Sequence, residues 1–201
     1  MDSIASLLLE MEEYAQINRV PIIGQAGAAL LAEVVSKKQP LLVLEVGTAI
    51  GYSAIVIAAN APGARIITIE KDSKRIMDAR EFISRAGLQD RIQIFCGDAG
   101  ELIPTLSGTF DFVFIDAAKG QYLDYLQKVL DKLNPGAVVA ADNVCFRGLV
   151  MHPEDSPRRF RTIVKRLNQY LEFVSGNPQF ATNIYPDGDG LAISYYKGDA
   201  K

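Results

Sequence analysis

LEVGTAIGYSA, residues 44–54, joins an apolar run to a turn with two glycines, and the turn leads into a helix-period segment. A strand apolar on both faces suits a parallel sheet covered by helices on either side. Gly47 and Gly51 let the backbone turn sharply and approach a ligand closely. The same rhythm spreads outward from this stretch. Strands are expected at 41–46 (LLVLEV), 65–70 (RIITIE), 91–96 (RIQIFC), 110–115 (FDFVFI) and 137–141 (AVVAA), with helical segments between them. The helix over 73–87 takes Ser73 as N-cap and stops at Gly87; the one over 121–136 closes with Pro135 and Gly136. The tail alternates differently. FATNIYP and LAISYYK, separated by Asp187-Gly188-Asp189-Gly190, read as an antiparallel hairpin. Two helices within residues 1–40, expected to lie over the site, complete one α/β domain spanning 1–201.

Composition sets the outer limits. The 201 residues are 49% hydrophobic and 22% charged, as in an ordinary globular protein with one core. No apolar run approaches the ~20 residues of a membrane helix. The acidic start, MDSIASLLLEMEEY, has no basic segment or cleavage site, so a cytoplasmic location and no membrane contact are expected. Cys96 and Cys145 read as buried thiols of a reducing compartment. A net charge of −3 exerts no global pull on nucleic acid.

Ligands of open parallel sheets gather beyond the carboxyl ends of the strands. Acids recur at that end: Glu45, Glu70, Asp98, Asp116 and Asp142. Singly, each reads best as a cap or turn former. As an ordered set they point to a nucleoside. Glu70 stands ~20 residues beyond the first glycine loop, where a carboxylate holds two ribose hydroxyls. Gly97-Asp98-Ala99 follows the third strand, placed to reach an adenine edge. The loop is not Gly-x-Gly-x-x-Gly, and Glu45 suits a cationic ligand better than a pyrophosphate. The sulfonium and amino group of S-adenosylmethionine fit.

Asp116 ends the fourth strand and Asp142-Asn143 ends the fifth. Neighbouring strands lie ~5 Å apart, so these oxygens can converge. Two carboxylates and an amide carbonyl form a hard-oxygen set suited to Mg²⁺ or another hard divalent cation. An Asx turn accounts for Asp142-Asn143 alone but leaves Asp116 and Lys119 unexplained. A partly desolvated lysine beside such a cation is a usable general base, so Lys119 and Asp116 are the catalytic candidates. His152, the one histidine, reads as solvent-facing or locally bonded.

LEVGTAIGYSA, ITIE, GDA, FIDAAKGQY, DNV and DGLAI together resemble the divalent-cation-dependent O-methyltransferases of the catechol and caffeoyl-CoA type. The resemblance spans nearly the whole chain. It implies a Rossmann-like class I methyltransferase: a seven-stranded, mostly parallel sheet with an antiparallel last strand and helices on both faces. It implies a metal at Asp116, Asp142 and Asn143, Lys119 as base, and a homodimer. It also implies cofactor contacts from Ile23, Glu45, Gly47, Ser53, Glu70, Asp98, Ala99 and Asp116. EVGTAIGYSAI, FIDAAKGQY, DNVCFRGLV and DGDGLAIS are similar to the bacterial tRNA 5-hydroxyuridine methyltransferase branch. In one respect the chain departs from the catechol enzymes, which carry an acid after Asp-Gly-Leu where this sequence has Ala192.

Residues 157–174, PRRFRTIVKRLNQYLEFV, place Phe160, Ile163, Val164, Leu167, Leu171 and Val174 at helical spacing. Arg158, Arg159, Arg161, Lys165 and Arg166 are left for the outer side, with Arg147 upstream. A basic helix face alone is usually a solvated surface. After the DNV loop of an acidic protein, it is also a candidate contact for tRNA phosphates. Tyr185, Tyr195 and Tyr196 are available to stack a base, although strand tyrosines more often pack. The expected activity is methylation of 5-hydroxyuridine in a tRNA anticodon loop. A small catechol-like phenol is the second reading, and a nucleoside-binding protein without catalysis the third.

Overall fold

A computed structural model describes residues 3–198; residues 1–2 and 199–201, the extremes of the expected domain, lie outside the described residues. Helices α1 (Ile4–Asn18) and α2 (Gln25–Lys38) precede β1 (Leu42–Val46), α3 (Tyr52–Asn60), β2 (Arg65–Glu70) and α4 (Ser73–Arg85). There follow β3 (Ile92–Cys96), α5 (Ala99–Leu102), β4 (Phe110–Ile115), α6 (Tyr122–Val129) and β5 (Leu133–Asp142). The chain closes with α7 (Arg161–Gly176), β6 (Phe180–Tyr185) and β7 (Leu191–Tyr196). The seven strands form one sheet in the order β3-β2-β1-β4-β5-β7-β6. β1 to β5 run parallel, and β7 is antiparallel to both β5 and β6. The sheet and its hairpin are therefore those expected from the sequence.

Alternation along each strand splits the core in two. Val43, Ile66, Phe112 and Val138 pack with Leu31, Ile55 and Phe82 of α2, α3 and α4. Leu44, Val46, Val113 and Val139 pack with Leu126, Leu167 and Tyr170 of α6 and α7. Both faces are thus buried, which is why the strands read as continuous apolar runs. Among the described residues no helix is long and apolar enough to cross a membrane.

Four local expectations need correction. Asp72, not Ser73, caps α4: its Oδ1 accepts from the amides of Lys74 and Arg75, and Ser73 is already helical. A carboxylate one residue earlier satisfies two orphan donors at once. Pro135 and Gly136 do not close a helix. α6 ends at Val129, a 3₁₀ turn follows, and β5 begins at Leu133, with a register shift against Phe110 and Phe112 that accommodates the proline. Cys96 is exposed, because β3 is an edge strand; Cys145 is buried as expected. The last helix starts at Arg161, so Arg158 and Arg159 sit in the turn before it.

Candidate active site

The loops after β1 and β4 leave the sheet at adjacent strands and almost touch. A Cβ on Gly47, whose φ is +102°, would stand 2.0 Å from the carbonyl oxygen of Asp116. Only glycine lets these two loops approach so closely. Between them and the ends of β2, β3 and β5 lies a cavity of about 290 Å³.

From the β1–β3 half, Gly47, Ala49, Glu70, Gly97, Asp98 and Ala99 line it. Glu70 is fixed by three backbone amides: Oε2 accepts from Ala49 (3.0 Å), Oε1 from Lys71 (2.9 Å) and Asp72 (3.0 Å). Asp98 accepts from Gly100 N–H at 2.8 Å and caps α5. From the β4–β5 half come Asp116, Lys119 and Asn143. Pro21 and Ile22, between α1 and α2, also line the cavity, as do Lys71, Arg75 and Tyr125. No sequence signal singled these five out.

Ile23, Glu45, Ser53 and Asp142 do not line this cavity. Glu45 is wholly buried on the other side of β1, where Thr68 Oγ1 donates to it at 2.5 Å and itself meets Thr48 Oγ1 at 2.6 Å. Burial, only partly offset by the hydroxyls of Ser53 and Thr68, raises its carboxyl to about 7. Ile23 is buried against Gly27, and a Cβ there would lie 3.8 Å from Asp142 Oδ1. Ile23 and Asp142 thus both border Gly27.

Asp116 follows β4, Asp142 ends the neighbouring β5 and Asn143 follows it, and their electrostatics report crowding. Burial pushes the Asp116 carboxyl up, with Lys119 opposing. Burial, then the charge of Asp116, raises Asp142 to about 7. Asp142 Oδ2 is buried with no hydrogen-bond partner among the described residues. Lys119 Nζ donates to Asn143 Oδ1 at 2.5 Å. Two mutually repelling carboxylates, one with an orphaned oxygen, beside an amide oxygen, fit a hard cation well. His152 lies exposed with Glu154 and Asp155, as solvent-facing residues.

Arg147, Arg158, Arg159, Arg161, Lys165 and Arg166 are all exposed. Arg147 and Arg159 lie over the ring of Phe160, at 5.6 and 4.6 Å from its centroid, and Phe160 packs edge-on against Phe146. Arg161 Nε donates to Ser156 O. Arg166 Nη1 donates at 3.2 Å to the carbonyl of Gly120, the residue after Lys119. Tyr185 and Tyr195 are exposed, whereas Tyr196 is buried against Phe180.

Residues 8–196 match the O-methyltransferase family. A catechol O-methyltransferase of Mycobacterium tuberculosis is 35% identical over 158 residues, covering 77% of this chain and 70% of that protein. An O-methyltransferase from Bacillus cereus, in complex with SAH, has the same fold with a TM-score of 0.85 and 26% identity, over 96% of this chain and 91% of that one. The O-methyltransferase TomG from Streptomyces achromogenes, in complex with SAM, gives 0.82 and 27%, over 96% and 90%.

Proposed function

This chain belongs to the O-methyltransferase family and is an S-adenosylmethionine-dependent O-methyltransferase of Rossmann-like fold, and from that premise we propose that it methylates the 5-hydroxyl of 5-hydroxyuridine in a tRNA anticodon loop with the help of a divalent cation. The carrying observation is the pairing of Lys119 with Asn143 in one cavity with Asp116, Glu70 and Asp98, next to the buried Asp142 with its orphaned oxygen.

S-adenosylmethionine supplies a methyl group on a sulfonium. A hard divalent cation, Mg²⁺ by the chemistry of its donors, supplies positive charge that acidifies a neighbouring hydroxyl. In this reading Glu70 holds the ribose hydroxyls and Asp98 and Ala99 the adenine edge. Gly47 gives room for the methionine part and Asp116 completes the cofactor set, whereas Ile23, Glu45 and Ser53, which the resemblance also assigned to the cofactor, are buried and do not line the cavity. Asp116, Asp142 and Asn143 would hold the cation. Lys119 accepts the substrate's proton at Nζ while the cavity aligns oxygen and methyl for in-line displacement.

The O5 hydroxyl and O4 carbonyl of 5-hydroxyuracil are neighbours on one ring, so they offer a chelating pair as a catechol does. Support for RNA comes from the surface around the site. Exposed Arg147, Arg158, Arg159, Arg161, Lys165 and Arg166 follow the Asn143 loop, and Arg166 reaches back to the turn that carries Lys119. Ala192 is wholly buried at the start of β7, so no acid stands there to anchor a free catechol. A small phenol remains the second reading, favoured by relatives named catechol O-methyltransferase. A single domain, a homodimer and a cytoplasmic location belong to the same proposal.

The deciding experiment incubates the protein, methyl-labelled cofactor and Mg²⁺ with 5-hydroxyuridine-containing tRNA or with catechol, with and without chelator. Label in tRNA that chelator removes is expected. Label in catechol alone refutes the tRNA reading, and chelator-resistant transfer refutes the cation.

A further inference from the structure

Asn143 sits one residue beyond the hydrogen-bonded end of β5, in a loop whose backbone is unusual. Asn143, Phe146 and Arg147 have φ of +55°, +39° and +60°. Phe146 and Arg147 are side chains that avoid the left-handed region, so something outside the loop has to hold them there. The turn between β6 and β7 does so. Val144 N–H donates to Gly190 O at 3.0 Å and Cys145 N–H to Asp189 O at 2.9 Å. Arg147 N–H donates to the Asp189 carboxylate at Oδ1, the one side-chain acceptor in this set. The contact is tight: a Cβ on Gly190 would stand 2.3 Å from Cys145 Sγ and 3.0 Å from Cys145 N.

We propose that Asp189 is a positioning residue for the cation site: by accepting the Arg147 amide it locks the 143–147 loop and so aims Asn143 Oδ1 beside Asp116 and Asp142. The inference rests on the reading that those three residues hold a metal. Asp189 touches neither cofactor nor cation; it acts through the backbone of the residue that does. A supporting group of this kind typically controls metal affinity by roughly 10–100-fold. Oδ1 is the atom that holds the loop, and the carboxylate's charge also reaches Asp142, so replacement by asparagine separates the acceptor from the charge.

The test compares wild type, Asp189→Asn and Asp189→Ala as intact chains. Mn²⁺ binding is read by electron paramagnetic resonance, SAH binding by calorimetry, and amide exchange of Val144, Cys145 and Arg147 in metal-free protein. Asp189→Ala is expected to weaken Mn²⁺ by roughly tenfold or more and to speed exchange of those amides, with SAH affinity unchanged. Asp189→Asn, which keeps the acceptor, is expected to restore both towards wild type. If Asp189→Ala binds Mn²⁺ as wild type does, or Asp189→Asn falls as far as alanine, the inference is overturned while the cation site stands. If wild type binds no Mn²⁺, the cation reading fails and the inference falls with it.

Discussion

Gly47→Ala tests the geometry that builds the cavity. Two effects add at this position. The first is conformational: φ is +102°, and a non-glycine residue held at positive φ costs roughly 1–3 kcal/mol. The second is steric: the new methyl would stand 2.0 Å from Asp116 O and 2.8 Å from its carbonyl carbon. The loop after β4 must withdraw by more than roughly 1 Å before ordinary contact at ~3.5 Å returns. That movement strains or breaks the 2.9 Å bond from Asp116 N–H to Val46 O, worth ~1 kcal/mol, on top of an overpacking cost of ~1–3 kcal/mol. The sum is about 3–7 kcal/mol, a large part of the ~5–15 kcal/mol that holds a domain folded. Gly87→Ala supplies the control. Gly87 has φ +69° with nothing within 4 Å of a built Cβ, so it carries the conformational effect alone. Urea denaturation of the two variants beside wild type separates the terms: Gly47→Ala should be less stable than Gly87→Ala by at least ~2 kcal/mol. SAH affinity should fall in the first and hold in the second. Equal stabilities, or unchanged SAH binding in Gly47→Ala, would refute the close approach of the two loops.

Lys119→Ala should lower turnover by ~10²-fold or more while leaving SAH affinity near wild type; near-normal turnover in the methyl-transfer assay removes Lys119 from the chemistry. Glu45→Gln should change the pH dependence of stability. The folded carboxyl is raised from 4.5 to about 7, so its contribution is full below the lower value and is lost as pH rises through the upper one. The neutral variant should therefore gain on wild type between pH 5 and 8, by up to roughly 3 kcal/mol, in urea unfolding of cofactor-free protein. A gap between the two proteins that does not change with pH sinks this account of Glu45. Replacing Arg158, Arg159 and Arg161 together by alanine should weaken tRNA binding and reduce its salt slope by roughly 2–3. Affinity and slope as in wild type would make the patch ordinary surface.

Parallel strands buried on both faces announce themselves as apolar runs, so the sheet was legible from 41–46 onward, and with it the strand ends where ligands gather. What the pattern could not convey is which side of a strand end a carboxylate faces. Glu45 and Glu70 look alike in sequence, as acids at or near the end of a strand. Yet alternation turns Glu45 into the α2–α3 face, onto Thr68, whereas the last position of β2 brings Glu70 to the cavity wall. Helix ends failed for a similar reason. Asp72 and Ser73 are both good caps, and one residue's difference is settled by which side chain reaches two amides, not by propensity. Pro135 read as a helix stop because a proline inside a strand is rare, but an irregular start to β5 has no amide to lose there.

Contacts between distant segments leave still less trace. Asp189 read as one of four turn residues, and Arg166 as one of five basic ones. Each acquires a specific partner, Arg147 N–H or Gly120 O, only because β7 runs antiparallel beside β5 and α7 packs over the turn after β4. Both partners adjoin the elements that carry Asn143 and Lys119. The two groups joined at 2.5 Å are thus braced from outside by residues remote in sequence, and their alignment can be disturbed without touching either one. That separation is what makes the proposed chemistry and its support independently testable: removing Lys119 takes away the proton acceptor, while removing the Asp189 acceptor leaves every proposed ligand present and changes where one of them points.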